Sequence, residues 1–162
     1  RVLFEDNPVI LNWLNEGGGT ATVVTDDKSS GVASLKITPL QRHSSRIPNW
    51  EFKIRKIPGP GEFRFLRLAW KAPSADGVML EIADGGRWPS PDSPKRRYYS
   101  GKNTSEWKAT EVSNSTPTEW TIVVRDLWKD FGDITITGMA PTALGGPALF
   151  DQIELLRAAP VE

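Results

Sequence analysis

The sequence contains no cysteine. Within this segment that excludes disulfides, thiolate zinc sites, cysteine nucleophiles and haem attachment, and it fits an oxidising exterior and the cytosol equally. Net charge is missing as well, because 20 Lys and Arg balance 20 Asp and Glu. Neutrality argues against nucleic acid or an anionic membrane as the main partner. No apolar run approaches ~18 residues, so nothing in the sequence spans a bilayer as a helix. The chain starts at Arg1 without Met or a signal-like stretch and reads as one β module of a longer protein.

Catalytic signals are equally sparse. His43 is the only histidine, and beside Gln41, Arg42, Ser44 and Ser45 it reads as exposed. A Ser-His-Asp hydrolase would need it as the base, and no Gly-x-Ser-x-Gly elbow accompanies it. No pair of carboxylates is flagged by its neighbours for glycoside hydrolysis. Gly17-Gly18-Gly19 does not follow a strand and open a helix as a phosphate loop does, so it reads as a turn.

What the sequence does contain is alternation with a period of two. Trp50, Phe52 and Ile54 alternate with Glu51, Lys53 and Arg55. Leu66, Leu68 and Trp70 alternate with Arg67, Ala69 and Lys71. Val78, Leu80 and Ile82 alternate with Met79, Glu81 and Ala83, and Trp120, Ile122 and Val124 with Thr121, Val123 and Arg125. Ile134 and Ile136, Ala33-Leu35-Ile37 and Thr22-Val23-Val24 add further strands. Each run has one apolar face, as an antiparallel sheet with a single buried side requires. Gly- and Pro-rich turns such as Pro58-Gly59-Pro60-Gly61 and Asp84-Gly85-Gly86 separate the runs. About nine or ten strands at this spacing predict an all-β antiparallel sandwich of the jelly-roll kind. Two short helical pieces are expected, one over residues 8–15 and one from Asp126 to Phe131, ended by Gly132. Phe63 and Phe65 fall on the opposite parity to Leu66. Either a β-bulge intervenes between residues 65 and 66, or these rings face a second layer.

In the last strand, strict alternation puts Asp151 in register with Leu149, Ile153 and Leu155, on the side expected to meet the core. A carboxylate there needs a cation or several hydrogen-bond donors. Leu3-Phe4-Glu5-Asp6 places more acids at the edge of an apolar strand. The two ends of the chain are therefore expected to share a calcium ion, the alternative being a carboxylate satisfied by backbone N–H groups or an arginine.

Seven tryptophans are a heavy load for 162 residues. Trp50, Trp70 and Trp120 lie in phase with aliphatic neighbours and are assigned to the core. Trp13 is expected beneath the amino-terminal turn, with Trp128 and Phe131 pinning the second helical piece. Trp88, Tyr98, Tyr99 and Trp107 lack such a register. Lys95-Arg96-Arg97 sets cations beside the two phenols; a solvated loop or an acidic polysaccharide would each account for the run. Alternation puts Arg97 and Tyr99 on one face, Arg96 and Tyr98 on the other. Arg67, Glu81 and Arg125, on the polar sheet face, are expected to line a groove with one of these pairs. Aromatic faces would meet pyranose C–H groups and the polar groups would take hydroxyls.

Phe4-Glu5-Asp6, Trp13, Asp26-Asp27-Lys28-Ser29-Ser30-Gly31 and Ser34-Leu35-Lys36-Ile37 resemble the opening of jelly-roll carbohydrate-binding modules of the galactose-binding-like superfamily. Trp120 to Val124, Asp126-Leu127, Phe131-Gly132, Ile136-Thr137-Gly138 and Phe150 to Leu155 resemble the close. The segment from Arg64 to Leu155 also resembles modules of large secreted bacterial proteins, some with cytochrome c-like domains. The resemblance implies a noncatalytic, extracellular or periplasmic module that binds a polysaccharide or oligosaccharide, or one that docks other domains of the same polypeptide. It also implies a structural calcium between the first strand, the loop entering the next strand and the last strand. By position its ligands are Glu5, Asp27 (or Asp26) and Asp151, with backbone carbonyls of residues 28–31 completing the six to eight oxygens calcium prefers. Glu5 and Asp6 stand side by side, and only one of them easily faces inward.

Overall fold

The computed structural model describes residues 1–15, 21–38 and 43–160. The turn expected at Gly17–Gly19 lies outside them, as do Gln41 and Arg42. Twelve strands are described, β1 Val2–Phe4, β2 Ala21–Val24, β3 Ser34–Ile37, β4 Phe52–Ile54, β5 Glu62–Phe63, β6 Phe65–Lys71, β7 Gly77–Asp84, β8 Arg97–Gly101, β9 Thr110–Ser113, β10 Thr121–Asp126, β11 Ile134–Leu144 and β12 Ala148–Leu156. They form two six-stranded sheets. One runs β10-β6-β12-β3-β2, with β1 also on β12; the other runs β5-β4-β11-β7-β8-β9. This is the expected all-β sandwich. It departs from pure antiparallel pairing at two short edges, where β4 and β5, and β8 and β9, run parallel.

The helical pieces form where expected. Asn7 accepts the Val9 N–H ahead of a 3-10 turn, Pro8–Ile10, which leads into α1, Leu11–Leu14. Asp126 caps α2, Leu127–Phe131, by accepting from the Lys129 N–H, and Gly132 ends it at φ 77°, a backbone conformation glycine adopts without strain.

Between the sheets lies one core. Val78, Leu80 and Ile82 of β7 and Leu66, Leu68 and Trp70 of β6 belong to it, and Trp70 packs edge-on against Phe150 with centroids 6.2 Å apart. The Phe63/Phe65 parity break is not a bulge between residues 65 and 66; two layers are involved, but the two rings belong to different ones. Phe63 ends β5 in one sheet and Phe65 begins β6 in the other, so the chain changes sheets at Arg64.

Two face assignments are corrected. In β10 Val123 is the buried residue, while Ile122 and Val124 are 58% and 42% exposed. The inward face is completed by Arg125, whose guanidinium lies 5.0 Å from the Tyr98 ring centre and bonds Asp130 at 3.0 Å. Both faces of this strand carry aliphatic residues, so alternation alone cannot orient it. Trp120 leaves the core with it, and its indole N–H donates to Asp27 at 2.8 Å. In β12 Ala148 and Phe150 point inward, and so do Ile153 and Leu155. The inward set changes parity because a bulge intervenes: Gln152 has φ 49°, and the pairing with β6 shifts between Asp151 and Glu154. Asp151 is therefore on the outer face of the sheet with Leu149, not on the core face.

Candidate functional site

Asp151 is nonetheless 0% exposed. Strands β3 and β1 pair with successive stretches of the same edge of β12, on either side of the bulge. The loop between β2 and β3 folds across that junction. Asp151 Oδ2 accepts the Ser29 and Ser30 N–H groups at 2.9 and 3.0 Å, and Oδ1 accepts the Gln152 N–H at 2.8 Å. Ser30 also donates its hydroxyl to Glu5 at 2.6 Å, and Asp6 accepts from the Val32 and Ala33 N–H groups at 2.9 Å each. Gly31, at φ 60°, makes this closure possible: a Cβ there would lie 2.5 Å from Asp6 Oδ2 and 2.8 Å from Glu5 Oε1.

Burial pushes the Glu5 carboxyl above its ordinary range, and neighbouring Asp151 and Asp6 push it the same way against the Ser30 hydroxyl. No Lys or Arg pairs with Glu5, Asp6 or Asp151 among the described residues. Asp151 is thus satisfied by backbone N–H groups, the alternative to a cation, and Glu5 accepts the Ser30 hydroxyl; carboxylate oxygens are also the donor type calcium takes. Asp27 is engaged elsewhere, its carboxylate held by Lys71 and the Trp120 indole at 2.8 Å each. Those bonds, the one from Lys71 foremost, hold its carboxyl below the usual range. Asp26 is exposed. No group of three or more Asp, Glu, His or Cys side chains converges at metal-binding spacing among the described residues.

The expected sugar-binding groove is reorganised. Arg67 and Arg125 belong to one sheet and Glu81 to the other, so they do not line a common face. Arg67 pairs with Glu154 of β12 at 3.0 Å. Tyr98 is a core residue; burial, helped by its hydrogen bond to Asp130 at 2.6 Å, pushes its phenol far up. Sequence parity separated Tyr98 from Tyr99 correctly but could not tell which of them faced inward.

Of the rest, Glu81, Arg97 and Tyr99 share the outer face of the second sheet, and Trp107 lies against Arg97. Glu81 and Arg97 are opposed across β7 and β8 and form an ion pair there. Arg97 is only 2% exposed and also donates to the carbonyls of Pro89, Ser90, Ser93 and Lys108. Its guanidinium lies 5.0 Å from the Trp107 ring centre. Burial pushes the Glu81 carboxyl up while Arg97 pulls it down. Tyr99, half-buried, shares the face of Arg97, and half-buried Trp88 immediately precedes Pro89. Trp107, 39% exposed, is the most open of these rings.

Two features escaped the sequence reading. His43 is half-buried rather than exposed, its Nδ1 donating to the Leu14 carbonyl at 2.9 Å, and burial pushes its pKa down. Trp13, expected beneath the amino-terminal turn, and Trp50, assigned to the core and packed against it while only half-buried, both line a groove beside β1. An amphipathic turn with Trp13 carries no sequence signal that separates the two.

No family model matches the chain, and no curated protein matches it in sequence. Among solved structures it is similar to the C-terminal family 22 carbohydrate-binding module of Clostridium thermocellum Xyn10B, at 13% identity over 90% of this chain and 86% of that one, with a TM-score of 0.41. It is also similar to the first family 22 module of Paenibacillus barcinonensis Xyn10C, a xylan-binding domain, at 16% identity over 88% and 85% of the two chains, with a TM-score of 0.35. The tandem of two such modules from the same Paenibacillus protein aligns at 14% identity over 99% of this chain and 47% of that chain, with a TM-score of 0.37.

Proposed function

We propose that this domain is a noncatalytic carbohydrate-binding module of a secreted bacterial multidomain protein, stabilised by a structural calcium. The observation that carries the reading is the Trp107 ring against the Arg97 guanidinium, which is itself paired with Glu81 on the strand face that Tyr99 shares. Arg97 is fixed by loop carbonyls before any ligand arrives, so the Trp107 ring against it is presented at little ordering cost. Flat aromatic faces beside fixed polar groups suit pyranose rings, which offer C–H patches and hydroxyls on the same small molecule. Affinity electrophoresis against plant and algal polysaccharides tests this. At least one should retard the domain, and Trp88→Ala with Tyr99→Ala should weaken the retardation while leaving the unfolding transition in place. Unaltered retardation of the double variant refutes the face as the site.

Calcium would be held by Glu5 and Asp151 with backbone carbonyls of the adjoining turn, and would neutralise two carboxylates that have no other cation. Asp27, spent on Lys71 and Trp120, is left out of this set. A ligand bound only by the folded state raises the melting temperature by mass action, so EGTA should lower it by several degrees. An unchanged melting curve counts against the ion.

Exposed Ile122 and Val124 on edge strand β10 favour a second reading, a docking module that orients a neighbouring domain of the same polypeptide. It predicts no retardation by any polysaccharide and quenched exchange of the β10 amides when the neighbouring domain is attached.

A further inference from the structure

A groove of about 290 Å³ opens where β1 and the helical turn after it meet residues 47–50. Trp13 and Trp50 line it, both half-buried, together with Val9, Ile47, Asn7 and Asp6. We propose that this groove is a second sugar site, one that takes the terminal pyranose of a neutral glycan end-on. It rests on the same ligand class as the reading above but uses none of the residues of the sheet-face site.

The lining supports each part of that statement. Two indoles supply apolar surface for sugar C–H groups. Trp120 and Trp128 give their indole N–H groups to Asp27 and Asp133, whereas those of Trp13 and Trp50 make no hydrogen bond among the described residues. Asn7 and Asp6 are fixed polar groups in the same lining: Asn7 Oδ1 accepts from the Val9 N–H at 3.0 Å, and Asp6 is clamped by the Val32 and Ala33 N–H groups. Trp50 is steadied from behind by Phe52, with centroids 5.5 Å apart.

Charge selects a neutral ligand. Arg1, Glu5 and Asp6 all line the groove, so its charged lining carries both signs and favours no ionic ligand of one sign. Size selects a chain end. The volume sits at the lower limit of ligand pockets, which run from about 300 to 1,000 Å³, too little for a run of sugar residues.

Indole N–H signals in nitrogen-15 NMR spectra of the whole domain test this, assigned through single Trp→Phe variants and followed as xylohexaose, cellohexaose or mannohexaose is added at millimolar concentration. The expected result is a shift of the Trp13 and Trp50 signals with at least one of these sugars, with affinity weakened about tenfold or more in Trp50→Ala. Trp50→Phe, which keeps an aromatic ring but loses the N–H, should fold normally and bind at intermediate strength. Movement of the Trp88 and Trp107 signals alone overturns this site and upholds the sheet-face reading. Movement of Trp13 and Trp50 alone upholds this site and overturns the other. Silence of all four with every sugar overturns both.

Discussion

Asp151 and Ser29, 122 residues apart in sequence, are joined by a 2.9 Å hydrogen bond from the Ser29 N–H to the carboxylate. With the Ser30 bond beside it, this contact fastens the loop between β2 and β3 onto the last strand. The carboxylate is buried because a loop covers the outer face of the sheet, not because the residue enters the core.

Asp151→Ala removes the acceptor of three backbone N–H groups, those of Ser29, Ser30 and Gln152. Stability should fall by about 2–4 kcal/mol, since buried donors left without partners cost the most. Urea denaturation with and without EGTA measures it. If calcium sits at Glu5 and Asp151, the variant should also become insensitive to the chelator.

Arg97→Ala should destabilise by about 3–5 kcal/mol or prevent folding, because Glu81 stays buried without its partner. Arg97→Ala with Glu81→Gln removes that stranded charge and should recover part of the loss. A double-mutant cycle from denaturation midpoints reads the coupling.

The orientation of β10 is directly testable. Ile122→Thr and Val124→Thr should each change stability by no more than about 0.5 kcal/mol, as exposed positions do. Val123→Ala should cost about 2 kcal/mol, since it deletes buried methyl groups. Reversed magnitudes in thermal melts would restore the face assigned by alternation.

Acidification should unfold the domain through its paired carboxylates. Arg64 meets Asp126 in a two-pronged pair at 2.8 and 3.0 Å and holds its carboxyl below the usual range, with the Lys129 N–H acting in the same direction. A folded-state pKa below the unfolded value of about 3.9 stabilises at neutral pH, and the contribution is lost as pH falls through the folded value. Asp27, held down by Lys71, has the same sign. Melting temperature should therefore drop below about pH 4, and Asp126→Asn, which keeps an acceptor for the α2 cap, should flatten that drop.

The sequence by itself determined the sandwich. Period-two alternation, turn chemistry between the runs and the caps of α2 are local properties, and each is encoded within a few residues. It also singled out Asp151, Glu5 and the rings near Arg97, because a carboxylate in an apolar strand and aromatics without register stand out in one dimension. Only the tertiary structure decided which way the residues point. One bulge at Gln152 changes the face of every following side chain in β12, and a strand such as β10 with apolar residues on both faces is oriented by its partners. The same holds for the groove beside β1, where Trp13 and Trp50 come together from elements with no sequence proximity. Side-chain convergence is a property of packing, and packing is settled only when the sheets close on each other.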